Sequence, residues 1–525
     1  MSFENRWMIV GNLTTATPLH IGNGDIAPRK ELVNSQTGQP VDINAICSDK
    51  DGRPSIPGST LKGNLRAWAK RAGINPASFE QLFGSEDPES SDSVGGKVEF
   101  YDAIVRSPPA FSEENQPSYW NAQRSTGVMA GVAIDRRTRT ASEERLFHHE
   151  FVPPGVSFTV TITGQDLSDG ELEDLLFVLT GFNQGQVTLG AGEDDGWGEM
   201  TWVLTDLRRI TSNEVANWIN SGAPTVGYDA LASIPDAERQ VWVSKIDARL
   251  AAVRSPTRLT LDINLNFQSH FLVNDPSQTG TLEEGKPAHA PLRDVDGSPL
   301  LPASSFRGAL RSQAEKILRT LHGEQAACYP DNNGPRPACE AVYKVDDVKR
   351  LCPVCQIFGA PGWKSPLHIS GFKTAVDEMV TQEFLAIDRF TGGGAKGAKF
   401  NARAIYRPAF SGTISVDLKA LERAGADRWA LGLLTLALRD LIEGDIRLGF
   451  GAAKGYGAVS AEISVRQLPA WADCPEVFKA DLREDQWQPA IFNSLSDDEL
   501  KTVMQLWVIE LGELKPPAAP QGAIA

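Results

Sequence analysis

The sequence predicts an α+β protein in which one domain occurs twice in tandem. Three observations predict it: four motifs recur in the same order, each copy opens with strand-like alternation, and two apolar helices follow in each copy. The longest repeated motif is IPGSTLKGNLR at residues 56–66, which returns as LPASSFRGALR at residues 301–311. Shorter pairs are LFG with IFG, IDR with IDR, and LGAGEDDGWG with LGFGAAKGYG. Chance agreement of four ordered motifs is improbable, so we predict a duplicated domain.

The first strand and first helix of each copy can be read from the apolar pattern. Apolar and polar side chains alternate in the first segment of each copy, as they do in half-buried strands; these segments are RWMIVGNLTTA and RLTLDINLNF. Leu61, Leu65 and Trp68 follow helical spacing and are expected to face a core. The expected N-caps of this helix are Ser59 or Thr60, and Ser304 or Ser305 in the second copy. Few helices and strands, mixed along the chain, indicate an α+β sandwich in each copy.

The repeats set the expected domain boundaries. We expect a first domain over residues 1–205 and a second over residues 256–468. Residues 206–255 between them are predicted to form a partly helical linker, because their apolar residues follow a helical period. Residues 469–525 are predicted to form a helical tail with a disordered Pro/Ala-rich end.

Composition excludes some classes of protein. The 525 residues are 41% hydrophobic, which excludes global disorder. The 51 Lys and Arg residues are outnumbered by 67 Asp and Glu residues, and the net charge of −16 argues against coating duplex DNA by bulk charge. A local basic groove remains possible. The sequence lacks a run of about 20 apolar residues and a signal-peptide pattern at its start, so we expect a soluble cytoplasmic protein.

Paired cations lie on the first helix of both copies. Lys62 and Arg66 recur at the same spacing as Arg307 and Arg311. A helix N-terminus with adjacent cations favours a phosphate group. A solvated amphipathic helix explains one copy equally well, but recurrence favours contact with an RNA backbone.

A glycine-rich segment closes each copy with the pattern G-x-G-x3-G-x-G. Such glycines let the main chain approach a ligand closely, although a tight hairpin explains them equally well. The segments are not nucleotide-binding P-loops, because no Gly-Lys-Ser/Thr follows. The first segment carries three acidic residues, whereas the second carries Lys454 and is the better candidate for nucleic-acid contact.

Four cysteines cluster in one insertion of the second copy, predicted over residues 322–356. They are Cys328, Cys339, Cys352 and Cys355. Four thiolates at this spacing suit a tetrahedral structural Zn²⁺ with no open position for substrate. His322 is a possible substitute for one cysteine, and reduced thiols without metal are the alternative.

Catalytic signatures are absent from the spacing of residues. The seven histidines form no Ser-His-Asp order or HExxH motif, and no paired-carboxylate signature is present. From the residues alone, the one candidate for a catalytic group is an acidic loop residue near the basic helix that binds Mg²⁺ beside a phosphate.

The motifs PLHIGNGD, IPGSTLKGNLR, AIDRRTRTA, LAIDRFTGGGAKG and LGFGAAKGYG together resemble those of the RAMP superfamily. More narrowly, they resemble the repeating backbone subunits of type III CRISPR effector complexes, the Cas family numbered seven. Two fused copies resemble the double-backbone subunit of type III-D systems. The resemblance implies two tandem modified ferredoxin-like, RNA-recognition-type domains with thumb hairpins, the second carrying the zinc-binding insertion.

The resemblance also implies a function. Such subunits bind a guide RNA (crRNA), assemble with other CRISPR effector subunits, and cleave complementary target RNA with Mg²⁺. The matching catalytic position is Asp42, with Asp49 and Asp51 ranked lower. The 2′-hydroxyl of a flipped nucleotide would attack the next phosphorus in line while Asp42 holds a Mg²⁺-bound water or orients the hydroxyl. The plain alternative is that Asp42 caps a turn.

The second copy departs from this pattern. Ala288 and His289 fall about where the aspartate is expected, so we predict an inactive or much weaker site. The thumb segments follow Asp135 and Asp388, aspartates that we expect to be structural. The thumb cations expected to face phosphate are Arg136, Arg137, Arg139, Arg389, Lys396 and Lys399.

Two other functions remain open on the sequence. One is a non-catalytic guide-RNA scaffold, as in the backbone of type I complexes. The other is a guide-processing ribonuclease with a histidine base, which would cut precursor RNA as an isolated chain without Mg²⁺.

Overall fold

The fold is taken from a computed structural model of the chain. It describes residues 3–33, 39–85, 95–107, 111, 120–135, 138, 140–220, 232–252, 258–275, 288–294, 296–329, 334–479 and 498–518. The chain divides into two compact units. Unit 1 comprises Met1–Met129, Phe147–Glu193 and Trp197–Val253, and unit 2 comprises Ala130–Leu146, Asp194–Gly196 and Arg254–Ala525.

The first copy alternates strands with a few helices. Its strands are β1 (Asn5–Thr15), β2 (Gly22–Val33), β3 (Pro40–Ile46), β4 (Ser55–Ile56), β5 (Val98–Phe100), β6 (Ala103–Ser107), β7 (Gly127–Ile134), β8 (Ala141–Phe151), β9 (Ser157–Gln165), β10 (Met200–Thr211) and β11 (Ala232–Ser233). Its helices are α1 (Gly58–Ala72), α2 (Pro76–Phe83), α3 (Asp169–Leu179), α4 (Ser212–Asn220) and α5 (Asp236–Ala252).

The second copy follows the same plan and adds helices at its end. Its strands are β12 (Arg258–Phe267), β13 (His270–Phe271), β14 (Leu300–Leu301), β15 (Leu367–Ile369), β16 (Phe372–Lys373), β17 (Met379–Ile387), β18 (Gly394–Tyr406), β19 (Ala409–Asp417) and β20 (Val459–Gln467). Its helices are α6 (Ala303–His322), α7 (Pro353–Phe358), α8 (Leu418–Arg423), α9 (Arg428–Ile442), α10 (Glu476–Lys479) and α11 (Asp498–Glu513).

Corresponding strands have the same neighbours in both copies. The main sheet of the first copy runs β10-β1-β9-β6-β4, and that of the second runs β20-β12-β19-β16-β14. Each of these neighbouring pairs is antiparallel. The register also shifts once in the β1–β10 pair and once in the β12–β20 pair. Shared strand order and shared irregularity confirm the predicted duplication.

The first strand and first helix behave as their apolar patterns predict. Every second residue of β1 is buried from Trp7 onward, and Leu61, Leu65 and Trp68 of α1 are buried in the same core. The predicted N-caps are wrong. The cap positions are Pro57 and Pro302, neither of which makes a side-chain cap hydrogen bond, and the serines lie inside the helices. Proline fixes an extended lead-in, so each helix begins one residue after it.

A smaller sheet accompanies each main sheet. It has the order β2-β3-β8-β7 in the first copy and β13-β18-β17 in the second. The hairpin turns are organised by the predicted structural aspartates. Asp135 Oδ1 accepts a hydrogen bond from Thr138 N at 2.9 Å, and Asp388 Oδ1 accepts from Phe390 N and Thr391 N at 2.8 and 2.9 Å.

The tail is packed onto unit 2 rather than separate from it. Trp507 of α11 is buried, and a Cβ atom at Gly432 of α9 would collide with the Trp507 carbonyl oxygen. Arg336 Nη1 donates to Pro517 O at 2.6 Å, so the start of the Pro/Ala-rich end is held in place. Residues 519–525, where disorder was predicted, lie outside the described residues. Within the described part of the chain, each helix is too short or too polar to cross a bilayer.

Candidate functional site

Asp42 lies on strand β3 with its side chain exposed. It pairs with Pro28 of β2. Its side chain makes no hydrogen bond or ion pair with any part of the chain that the structure describes. The turn-capping alternative for this carboxylate therefore finds no support, and Asp42 is available to a ligand.

The face of β3 that carries Asp42 also carries a polar group. Val41 and Ile43 pack into a small apolar cluster, which leaves Asp42 and Asn44 on the opposite face because side chains alternate along a strand. Asn44 Nδ2 donates to Nδ1 of His149 at 3.2 Å, and the His149 and His20 rings lie 5.1 Å apart. Burial, assisted by the nearby histidines, lowers the pKa of His149, so its imidazole is neutral at neutral pH.

A buried carboxylate anchors this face. Glu150 of β8 is fully buried and forms an ion pair with Arg29 of β2. It also accepts hydrogen bonds from Arg124 Nε at 3.0 Å, Thr126 Oγ1 at 2.8 Å and Ile46 N at 3.2 Å. Burial alone would raise the pKa of Glu150, but these hydrogen bonds and the arginine charges hold it below its usual value. Glu150 thus ties β2, β3 and the segment before β7 to β8.

The two lower-ranked aspartates form a turn. Asp49 Oδ1 accepts from the backbone N of Asp51 and of Arg53, each at 2.9 Å. The backbone hydrogen bond from Arg53 is the main reason that the pKa of Asp49 is lowered. Asp51 is exposed and lies 3.2 Å from Arg53 Nη2. The structure therefore gives Asp49 a capping role, whereas the described residues show no such role for Asp42.

The predicted cations of α1 differ in what they contact. Lys62 is half-buried and has no hydrogen bond or ion pair among the described residues. Arg66 Nη2 donates to the carbonyl oxygens of Gly84 at 3.2 Å and Ser85 at 3.1 Å. Its guanidinium also lies 5.6 Å from the centroid of the Phe79 ring. Arg66 therefore satisfies carbonyl groups at the end of α2.

The corresponding arginines of α6 are also engaged by protein atoms. Arg311 Nη1 donates to Gly359 O at 3.2 Å, which repeats the contact of Arg66 at the end of α7. Arg307 lies 2.8 Å from Asp195 Oδ1, which also belongs to unit 2, and 3.0 Å from Ser365 Oγ. A structural role thus accounts for the recurrence of Arg66 and Arg311, and RNA contact by these arginines stays a prediction.

Both glycine-rich segments are tight hairpins. Leu189 N donates to Gly198 O at 3.0 Å, and Leu448 N donates to Gly457 O at 3.1 Å. A Cβ atom at Gly198 or Gly457 would collide with the leucine carbonyl across the hairpin. The glycines with positive φ are Gly190, Gly192, Gly196, Gly198, Gly449, Gly451, Gly455 and Gly457. Lys454 is exposed at the turn of the second hairpin.

The thumb cations are described only in part. Arg136, Arg137 and Arg139 lie outside the described residues. Arg389 is exposed after β17, and its side chain has no hydrogen bond or ion pair with the described residues. Lys399 forms an exposed ion pair with Glu383 at 2.9 Å. Arg389 is therefore the thumb cation whose position fits an external anion.

The four predicted cysteines come together in unit 2. Their Sγ atoms all lie within 4.8 Å of one another, so they can hold a metal ion. Cys328 Sγ and Cys355 Sγ are 3.5 Å apart, and Cys352 N donates to Cys339 Sγ at 3.3 Å. Hydrogen bonds from the other three thiols, led by Cys339, hold the pKa of Cys328 well below its usual range. His322 is not part of this group, because its Nε2 hydrogen-bonds to Leu511 O at 2.8 Å.

An arginine compensates the charge of this cysteine group. Arg311 Nη2 lies 3.0 Å from Cys355 Sγ, and Arg311 Nε lies 3.3 Å from Glu315 Oε1. Burial opposes the charge of Arg311, but the negative charges of Cys355 and Glu315 raise its pKa. A cation held against thiolates lowers the cost of keeping several of them deprotonated around a metal.

Comparison with protein families decides the identity of the fold. The family model described as the RAMP superfamily matches residues 12–201 and 254–460. The chain belongs to the RAMP superfamily. Membership suggests a CRISPR-associated, RNA-binding function, and two separate matched regions agree with a tandem of two RAMP domains. A search of curated proteins gave no match to the chain.

Three residues of this RAMP chain that lie on or contact β3 were not predicted from the sequence. They are Asn44, His149 and Glu150. A signal was present, since HHE at residues 148–150 places polar side chains in an otherwise strand-like segment. The cysteine group, in contrast, was found complete.

Proposed function

We propose that this RAMP chain is a backbone subunit of a type III CRISPR effector complex that binds a guide RNA and cleaves complementary target RNA at Asp42 with Mg²⁺. The observation that carries the proposal is the state of Asp42. It is an exposed carboxylate without a partner among the described residues, on a strand anchored by the buried Glu150, in a chain with RAMP matches in both halves. The finer subtype, the double-backbone subunit of type III-D systems, rests on the fused copies.

Asp42 is suited to the proposed cleavage. The 2′-hydroxyl of one target nucleotide attacks the adjacent phosphorus, the bond to the leaving 5′-oxygen breaks, and the products carry a 2′,3′-cyclic phosphate and a 5′-hydroxyl. Asp42 belongs to no preformed group of three metal ligands within the described residues, so Asp42 would hold Mg²⁺ together with phosphate oxygens of the bound RNA. Mg²⁺ bound there would neutralise the charge that develops on the phosphate. Asn44 and His149 offer polar groups on the same side of β3.

The fold supports binding along a guide–target duplex. The proposed ferredoxin-like unit is supported by the strand order β10-β1-β9-β6, with α1 after β1 and α3 after β9. The β17–β18 hairpin fits the proposed thumb. It exposes apolar side chains toward its tip, where Ile387 is 66% and Phe390 100% exposed. Apolar side chains of this kind wedge between bases and kink a duplex.

The second copy is proposed to bind RNA without cutting it. Ala288 and His289 were expected about where the aspartate falls, and the offset of 245 between the repeated helix motifs matches Asp42 to Pro287, which lies outside the described residues. His289 bridges to Ala402 of β18 as Asn44 bridges to His149 of β8, and its ring packs against Phe450 with centroids 4.5 Å apart. None of Pro287, Ala288 and His289 carries a carboxylate. One cleavage site per chain follows.

The cysteine group is proposed to hold a structural Zn²⁺. Four thiol groups whose sulfur atoms all lie within 4.8 Å of one another match the tetrahedral ligand set of zinc and leave no open position. Such a site would stabilise the segment between Cys328 and Cys355, whose described residues 334–344 contain no helix or strand.

The test is cleavage by the assembled complex carrying a guide RNA. Asp42→Ala is compared with Asp51→Ala, since Asp51 is an exposed carboxylate whose side chain is 57% accessible. We expect Asp42→Ala to abolish one Mg²⁺-dependent cut while target binding is retained. The complex with Asp51→Ala should cut the target as the wild type does.

Each other outcome contradicts the proposal in a specific way. An unchanged cleavage ladder in Asp42→Ala would establish the scaffold alternative. Cleavage of precursor RNA by the isolated chain in EDTA would instead establish a guide-processing ribonuclease.

A further inference from the structure

Unit 2 holds a cluster of aromatic rings around His289, near the position matched to Asp42. We propose that this cluster, which we call the ring cluster, binds a nucleobase of single-stranded RNA by stacking, with Lys454 on the adjoining phosphate. The inference rests on the proposed function and extends it, because it gives the second copy a site of its own. The ring cluster consists of His270, His289, Phe384, Phe400, Phe450 and Tyr456.

The rings form a continuous network. Phe384 and Phe400 stack with centroids 5.0 Å apart and planes 17° apart. His289 lies 4.5 Å from Phe450 and 5.6 Å from Phe400, so it joins the two phenylalanines. Tyr456 is buried beneath them, whereas Phe400 and Phe450 remain partly accessible. Partly accessible rings held rigidly by their neighbours are what base stacking requires.

Lys454 covers the accessible part of the ring cluster. Its Nζ lies 5.1 Å from the centroid of Phe450 and 5.8 Å from that of Phe400. A cation–π contact at an exposed site is weaker than the stacking of a base on an aromatic ring. A base can therefore displace the ammonium from the rings, and the ammonium can then reach a phosphate beside that base.

His289 supplies an unsatisfied polar atom to the ring cluster. Its Nδ1 atom is buried and has no hydrogen-bond partner among the described residues. Buried polar atoms in folded proteins are nearly always paired, so an unpaired one marks a site where a partner is missing. Burial, followed by the charge of Lys454, lowers the pKa of His289, which keeps the imidazole neutral. A neutral ring nitrogen can exchange a hydrogen bond with the edge of a base.

The chemistry of the ring cluster selects single-stranded RNA over a duplex. Bases within a duplex are already stacked, and their faces are not accessible to a protein ring, whereas an unpaired base presents both faces. The six side chains of the ring cluster also include no carboxylate that would repel a phosphate.

The experiment compares two probes on the full chain. One is a labelled uridine oligonucleotide of about six residues, and the other is an abasic oligonucleotide of the same length and charge. We expect the wild-type chain to bind the uridine probe more tightly by fluorescence anisotropy. Phe400→Ala should weaken binding of the uridine probe about 5- to 150-fold and leave the abasic probe unchanged.

Matched variants separate base stacking by Phe400 from phosphate contact by Lys454. Phe400→Tyr should bind as the wild type does, because it keeps the ring. Lys454→Ala should lower the affinity for both probes by the same factor, because it removes a phosphate contact that both probes make. Tyr343→Ala is the control, because Tyr343 is an aromatic residue of unit 2 that is 89% exposed and outside the ring cluster.

The outcomes distinguish this inference from the proposed function. If the wild-type chain binds neither probe, both are overturned. If it binds both probes equally, or if folded Phe400→Ala binds uridine normally, the ring cluster is not a base-binding site and the proposed function stands. The comparison of probes on the wild-type chain decides the matter even if Phe400→Ala fails to fold.

Discussion

Replacing Glu150 by glutamine tests whether this carboxylate holds the strand that carries Asp42. Breaking a buried ion pair by removing one partner costs about 3–5 kcal/mol. Glutamine keeps the size of the side chain and one oxygen, so some of the hydrogen bonds survive. The side chains of Arg29 and Arg124 are 12% and 28% exposed, which lets water stabilise them in part. We therefore expect a loss near the lower limit, about 3 kcal/mol in the free energy of unfolding of unit 1.

The assay is calorimetric unfolding of the full chain at neutral pH, in which the transition of unit 1 is followed. A loss of about 3 kcal/mol corresponds to a decrease in Tm of about 6–12 °C for a unit of this size. Glu238→Gln is the matched control, because Glu238 pairs with Arg209 at the surface of the same unit. Surface pairs contribute about 0–1 kcal/mol, so its Tm should change by only a few degrees.

Acidification provides an independent check. The pKa of Glu150 in the folded chain lies below its ordinary value of 4.5. Its ionic contribution is therefore fully present above pH 4.5 and is lost as the pH falls through the folded pKa. Below pH 4.5 the wild type should lose more stability than Glu150→Gln does, so the free energies of unfolding of the two proteins should converge. A Glu150→Gln variant within about 1 kcal/mol of the wild type at neutral pH would refute the reasoning.

Three further predictions concern the metal and the cations. The purified chain should contain one Zn²⁺ by atomic emission. Cys352→Ser should lose the metal and lower the Tm of unit 2. A wild-type chain that keeps the same Tm after its metal is removed would contradict this. Arg66→Gln and Arg311→Gln should each destabilise their unit by about 1.5–3 kcal/mol in urea unfolding, because both arginines hydrogen-bond to protein carbonyls. Lys62→Gln should leave the Tm unchanged. It should make the slope of log K for single-stranded RNA against log salt concentration shallower by about 0.7. An unchanged slope would exclude a phosphate contact.

The duplication and the main strands could be predicted because their signals are local. Alternation in β1 and helical spacing of Leu61, Leu65 and Trp68 reflect burial against a core, and burial decided both elements. The predicted helix starts were wrong by two or three residues, because Pro57 and Pro302, rather than the hydroxyl residues after them, end the extended lead-in. A residue with good capping chemistry does not act as a cap when proline has already fixed the boundary.

The two sites differed in how much of each the sequence revealed. The cysteine group is confined to one short insertion, so its spacing alone identified all four residues. The anchor at Glu150 joins residues far apart in the chain, such as Arg29 and Arg124, and no local pattern shows such a contact. Recurrence was a weak guide for Arg66 and Arg311, because a repeated residue can be repeated for packing as well as for binding.

The number of cuts that one chain makes in complementary RNA shows whether only the first copy cleaves. It can be counted on an end-labelled target in a complex whose other backbone subunits are inactive. We expect one Mg²⁺-dependent cut, which is lost in Asp42→Ala and retained in His289→Ala. Two cuts from the wild-type chain, or one cut that persists in Asp42→Ala and disappears in His289→Ala, would contradict it.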